Sequence, residues 1–218
     1  MNLKETVMKL YACPGTCSLA PHIALHELEV DHQLILINLK KGEGRTPEFL
    51  QLNPLGQVPV LLGEHGEVLT EVAAILLFLF QQHGQIDGPL YQTVRHLSFI
   101  NGELHKSFYP QFFGKLILGE DNPEVPTLAN HFKKLLDERW KYVDYLLPAF
   151  DDLDGAVMGP ADPYLYTVCR WWLSLGHDFQ GYDSIPGFLE NMESRDSVKR
   201  ALEIEGLEPM ARQALPSM

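Results

Sequence analysis

Within its first forty residues the chain passes through a strand, a turn, a helix and a second strand, an order that fixes how the two strands can pair. Residues 7–12 (Val-Met-Lys-Leu-Tyr-Ala) alternate as a half-buried strand does and stop at Cys13-Pro14-Gly15, where Pro and Gly mark a turn. Apolar residues at Leu19, Ile23, Ala24 and Leu28 then recur near the helical period, predicting a helix over 18–28 that is buried on one side. Residues 33–37 (Gln-Leu-Ile-Leu-Ile) read as a second buried strand. Two strands joined through a helix pair in parallel, so the segment is a βαβ unit.

The next segment completes a sheet. Thr46-Pro47 opens a short helix to Leu52, and Asn53-Pro54-Leu55-Gly56 forms a turn before Val58-Pro59-Val60-Leu61-Leu62. Pro59 has no N–H for a ladder and belongs at the start or edge of that strand. His65-Gly66-Glu67 turns the chain into Val68-Leu69 as an antiparallel partner, and a helix with an apolar centre follows over 70–83. After the break at 84–89 only helical periods appear, near 91–118, 126–147, 162–176, 186–193 and 196–204. The expected architecture is an α/β domain over 1–83 in the order βαβαββα, with an all-helical domain over 90–218.

Composition narrows the partners. With 45% hydrophobic and 21% charged residues, the chain is an ordinary globular protein and neither disordered nor coiled-coil. Its net charge of −12 repels phosphate backbones and anionic lipid, so neither nucleic acid nor a membrane is an expected partner. The most apolar run, Val72–Phe80, is nine residues, against the ~18 of a membrane span. Cys13, Cys17 and Cys169 are odd in number and lack zinc-type spacing. We therefore expect no disulfide framework, no metal and a reducing, cytoplasmic setting. Residues 1–7 hold no apolar core for a signal peptide.

Several residues have chemical potential on their own. Cys17, at the start of a helix, feels the positive end of the helix dipole, which favours thiolate; it is equally a small buried residue. Thr70-Glu71 precedes a helix whose N-terminal N–H groups can hold a carboxylate while Glu71 pairs with an ammonium, although Thr70 also reads as a plain N-cap. Glu103, His105 and Lys106 lie close together on one helix and also fit an exposed charged face. Asp162, followed by Pro163, is the expected N-cap of its helix.

The stretch Leu10–Leu25, Asn53–Pro59, Leu69-Thr70-Glu71 and Glu103-Leu104-His105-Lys106 together resemble glutathione transferases, and more narrowly the bacterial beta class. The resemblance implies a thioredoxin-like first domain, a helical second domain and a homodimer. It implies a cis peptide before Pro59, with the Val58 backbone pairing to the cysteinyl part of glutathione. Gln57, Val58, Pro59, Glu71, Val72 and Lys40 or Lys41 would then bind glutathione. Cys17 and His105 would be catalytic, with Lys106 beside them and Glu103 reaching the neighbouring subunit's glutathione. A small hydrophobic electrophile or a disulfide is the implied second substrate, the electrophile held by Phe108, Phe112, Tyr164 and Trp171. Departures from the family pattern are Ala12, Val72 and Ser98. Both conjugation and thiol–disulfide exchange or peroxide reduction through Cys17 fit, and a non-enzymatic interaction protein of the same fold is the alternative.

Overall fold

The computed structural model describes residues 7–83, 86, 88–149 and 157–210. β1 (Met8–Ala12) pairs in parallel with β2 (His32–Leu36) and antiparallel with β3 (Val60–Leu62), which pairs antiparallel with β4 (Val68–Thr70). The strand order is β2-β1-β3-β4. Period-two alternation splits β1 between two cores: Met8, Leu10 and Ala12 face the large core, while Tyr11 packs against a smaller one built on Ile37, Phe49, Val58 and Val60. Helix α2 (Pro47–Leu52) supplies Phe49 to that smaller core, and the Thr46 hydroxyl caps its start by accepting from the Phe49 N–H at 3.3 Å.

Helix α1 (Leu19–Glu27) departs from the one-sided burial its spacing predicts, because Leu19 through Leu25 are all buried, Pro21 and His22 included. The reason lies in what packs on it: α3 (Val72–Gln82), α7 (Asp162–Ser174) and α9 (Asp196–Glu205) all contact it, so no face meets solvent along that stretch.

Beyond α3, every regular element among the described residues is helical: α4 (Leu90–Phe99), α5 (Tyr109–Leu118), α6 (Val125–Leu146), α7, α8 (Ile185–Ser194) and α9. The expected break at 84–89 falls partly outside the described residues. The helix predicted over 91–118 is interrupted by a π-helical turn at Ile100–Leu104 and a 3-10 turn at His105–Phe108. Such irregular turns recur at functional sites. No helix among the described residues is long and apolar enough to cross a membrane.

The start of α7 corrects the expected cap. Ala161 occupies the N-cap position and Asp162 is the first helical residue, whose Oδ2 reaches back to accept from the Gly159 N–H at 2.7 Å. The carboxylate still ties down an otherwise orphaned donor, from one position later. Asp162→Ala is expected to lower stability by about 1–2 kcal/mol. An unchanged melting temperature would count against that role.

Candidate active site

A cleft of about 530 Å³ opens between the sheet unit and the helices α5 and α7. Its floor is the Cys13–Ser18 turn. The Cys13 carbonyl accepts from the Thr16 N–H (3.1 Å), the Thr16 hydroxyl (2.8 Å) and the Ser18 hydroxyl (3.1 Å), while the Ser18 oxygen accepts from the Cys13 N–H (3.0 Å). Gly15 adopts a φ of 72°, which a Cβ would strain. Its N–H donates to Glu205 Oε2 and its carbonyl accepts from Trp171 Nε1, both at 2.9 Å. A turn held from both sides in this way delivers Cys17 to the cleft.

Cys17 does not titrate as its place near a helix start suggests. Burial pushes its thiol up to about 12, with the neighbouring Glu71 charge adding to the rise; its own backbone N–H and Lys106 oppose it without winning. Its S–H donates instead to the Val58 carbonyl at 3.5 Å. The peptide between Val58 and Pro59 is cis. Buried Asn53 supports this turn, its Nδ2 donating to the Gln57 carbonyl at 2.7 Å and its Oδ1 accepting from the Leu55 N–H at 3.0 Å. Gln57, Val58 and Pro59 all line the cleft.

Beside them stand Glu71 and Val72, which follow Thr70, the register partner of Val60. Glu71, and not Thr70, occupies the N-cap of α3, with no side-chain capping bond, so its exposed carboxylate is not spent on the helix. Its φ of 67° and ψ of 118° are strained for a non-glycine residue. Lys40 lines the cleft and Lys41 does not, which separates two cations that the sequence leaves equivalent.

The helical wall carries a polar relay. His105 Nδ1 lies 2.6 Å from the Tyr164 hydroxyl, which donates to Asn101 Oδ1 at 3.0 Å. With that phenolic proton given to Asn101, the His105 Nδ1–H is the donor to Tyr164 and its Nε2 keeps a lone pair. Burial, reinforced by Lys106, holds His105 down to about 4, and burial pushes the Tyr164 phenol up. Asn101 was not among the residues singled out by sequence. It sits on the irregular turn that breaks the predicted helix, and no local pattern marks it.

The titration of His105 has a consequence for stability. Below the ordinary imidazole value of 6.5 the unfolded chain takes up a proton that folded His105 refuses until about pH 4. Stability is therefore expected to fall as pH drops through that window, by up to about 3 kcal/mol from this residue. His105→Gln should flatten the decline in melting temperature between neutral pH and pH 4; parallel curves would exclude it.

Of the aromatic wall, Trp171 meets Phe108 and Phe112 edge-on with centroids 5.6 and 5.8 Å away, and His105 at 4.8 Å. Phe108 and Tyr164 are fully buried and back the wall, whereas Phe112 and Phe113 present open apolar surface to the cleft. Lys106 also lines the cleft, its ammonium donating to the Tyr109 hydroxyl at 3.1 Å. Glu103 does not line it. Arg139 holds that carboxylate through Nε at 3.1 Å and Nη2 at 2.6 Å.

This geometry has counterparts in known proteins. Residues 6–81 match the family model described as the glutathione S-transferase N-terminal domain. Glutathione S-transferase GstA from Escherichia coli is 36% identical over 210 residues, covering 92% of this chain and all of that one. The chain belongs to the glutathione S-transferase family. Among solved structures, the bacterial beta-class glutathione S-transferase of Sphingomonas chungbukensis superposes with a TM-score of 0.77 at 32% identity, over 92% of this chain and 100% of that one. A sphingomonad glutathione S-transferase solved in complex with glutathione gives 0.76 at 32% identity over the same shares. The family and its beta-class relatives agree with the fold and the transferase activity that the motifs imply.

Proposed function

We propose that the cleft binds glutathione along the sheet unit and joins its sulfur to an apolar electrophile held against Trp171, Phe112 and Phe113. The observation that carries this reading is a single cavity lined both by charged side chains, Glu71 and Lys40, and by the aromatic rings of Phe112, Phe113 and Trp171. Glu71 suits the ammonium of the γ-glutamyl group, and the Val72 N–H at the start of α3 suits its carboxylate. The Val58 backbone suits the cysteinyl unit as a short strand addition, and Lys40 the glycyl carboxylate. The solved sphingomonad relative carries glutathione, which supports the same ligand here.

In the reaction the glutathione sulfur forms a bond to the electrophilic carbon, the leaving group departs with its electron pair, and the thiol proton passes to solvent. The chain contributes position and charge. A Cys17 thiol that stays protonated is a hydrogen-bond donor toward a neighbouring thiolate, and Lys106 adds positive charge. The His105–Tyr164–Asn101 relay fixes the wall facing Cys17. Thiol–disulfide exchange through Cys17 is the less supported of the two routes, since it needs a Cys17 thiolate in the first step. In a Cys13→Ser background, alkylation of Cys17 in the ligand-free protein should rise about tenfold per pH unit up to about pH 10 without a plateau. A plateau near neutral pH would restore the exchange route.

Residues 1–83 are assigned the glutathione-binding role and 90–218 the electrophile pocket. A homodimer is in keeping with the family and with exposed Tyr91 and Val94 on α4, and three free cysteines with a reducing cytoplasm. Calorimetric titration of reduced glutathione, followed by initial rates with chlorodinitrobenzene, tests the whole reading. Heat at micromolar to low millimolar concentrations and saturable conjugation are expected. Absence of binding at several millimolar would overturn it.

A further inference from the structure

A second cavity, about 510 Å³ and sharing no lining residue with the cleft, lies between α1, β2 and α9. Three histidines converge on it. His22 and His26 are one turn apart on α1 and therefore share a face, and His32 begins β2. The short connection between them brings His32 back over α1 through a left-handed Glu29, φ 53°. The ring centroids are 4.8, 4.9 and 5.7 Å apart, and one nitrogen from each ring lies within 4.8 Å of the other two.

The rings are oriented as ligands are. Fully buried His22 places Nδ1 2.9 Å from Glu205 Oε1, and His32 donates Nδ1–H to the Val30 carbonyl at 2.8 Å. A carboxylate or carbonyl on one nitrogen leaves the other as a lone pair, the usual arrangement behind a metal-bound imidazole. The Nε2 atoms of His22 and His26 are 3.2 Å apart. Tetrahedral coordination with Zn–N near 2.0–2.1 Å separates two ligand nitrogens by about 3.3 Å. At present one proton bridges that pair; moving the His26 proton to Nδ1 frees both lone pairs. The widest separation, 4.8 Å, needs a rotation of half-buried His26 or His32 at the cavity, with His22 clamped by Glu205 as the fixed point.

We propose that His22, His26 and His32 form a three-histidine site for a divalent transition-metal ion of the zinc class. Imidazole ligands favour such ions over calcium or magnesium. Three protein ligands leave a fourth position open to water from the cavity. The charges around it suit a dication: Glu29, Asp31 and Asp196 line the cavity with Arg200 as the opposing cation, and Glu205 stands behind His22. The absence of zinc-type cysteine spacing does not speak against this site, which contains no sulfur.

The test uses tag-free full-length protein dialysed against chelator. Titration with zinc chloride alone should show one equivalent bound, and cobalt chloride should give the visible bands of tetrahedral nitrogen coordination without a sulfur charge-transfer band. In the double variant His26→Ala/His32→Ala, affinity should fall more than about tenfold. Both side chains sit at the cavity and not in the core. Should that variant misfold, His32→Asn alone replaces it, with the metal-free melting temperature confirming its fold. No binding at millimolar zinc, a smaller loss of affinity in the variant, or sulfur charge transfer pointing to Cys13 and Cys17 would each overturn the site.

Discussion

Replacing Glu71 with glycine is expected to leave the protein at least as stable while weakening glutathione binding about 100-fold. The two effects come from different parts of one residue. Its backbone sits at φ 67°, which for a side chain costs about 1–3 kcal/mol and for glycine is relieved, against about 0.5–1 kcal/mol of extra chain entropy. The side chain makes no capping bond and is exposed, so its removal leaves nothing buried unpaired. The Glu71 carbonyl still accepts from the Ile75 N–H at 3.0 Å, so α3 keeps its first backbone bond. What is lost is a carboxylate aimed into the cleft, and a charge-assisted bond of about 1.5–3 kcal/mol corresponds to roughly 10- to 150-fold in affinity. Glu71→Gln separates the two contributions, since it keeps the strain and the shape but not the charge. It should melt like the parent and bind glutathione nearly as poorly as the glycine variant. A glycine variant that melts lower, or a glutamine variant that binds normally, would show that Glu71 holds the fold and not the ligand.

The residues that sequence reading located are those whose role is written in local pattern. The strand alternation at 7–12, the Pro-Gly turn and the proline at 59 are contiguous signals, and the sheet register follows from them. Lys40, Gln57, Val58, Pro59, Glu71, Val72, Lys106 and the four aromatic residues line the cleft, although two of those rings stand behind its surface. Contacts across long separations were not legible. A helical period predicts one buried face for α1, yet that helix is enclosed by α3 together with α7 and α9, the last two arriving from far along the chain. The break at 100–108 has no Pro or Gly signal strong enough to stop a helix, and Asn101 is tied into the cleft wall by a hydrogen bond from Tyr164, 63 residues further along the chain. Cys17 shows competition between two physical effects that sequence cannot weigh. The helix dipole acts over one turn and is read from position, but desolvation depends on what packs above the thiol, and here it wins.

Glu205 is the furthest of these long-range partners, and Glu205→Ala is expected to lower stability by about 3–5 kcal/mol. It closes α9 at the distant end of the chain, where sequence shows only an acidic residue before Gly206. Both its side chain and that of His22 are fully buried. Oε1 meets His22 Nδ1, and Oε2 accepts from the Gly15 N–H. Truncation would leave the buried His22 Nδ1–H and the part-buried Gly15 N–H without an acceptor, and each such group loses its compensation for leaving water. For a chain of this size the loss corresponds to a melting-temperature drop on the order of 10 °C. Glu120→Ala is the control, because its pair with Lys115 is largely exposed, with side chains 74% and 64% accessible. Water screens such a pair from all sides, so that variant should melt within a degree or two of the parent. The Glu205 variant should also bind glutathione less well per folded molecule, because Gly15 anchors the turn that presents Cys17. Equal melting temperatures for the two variants would mean that α1 and α9 are joined by apolar packing alone, and that the carboxylate is incidental to the active-site turn.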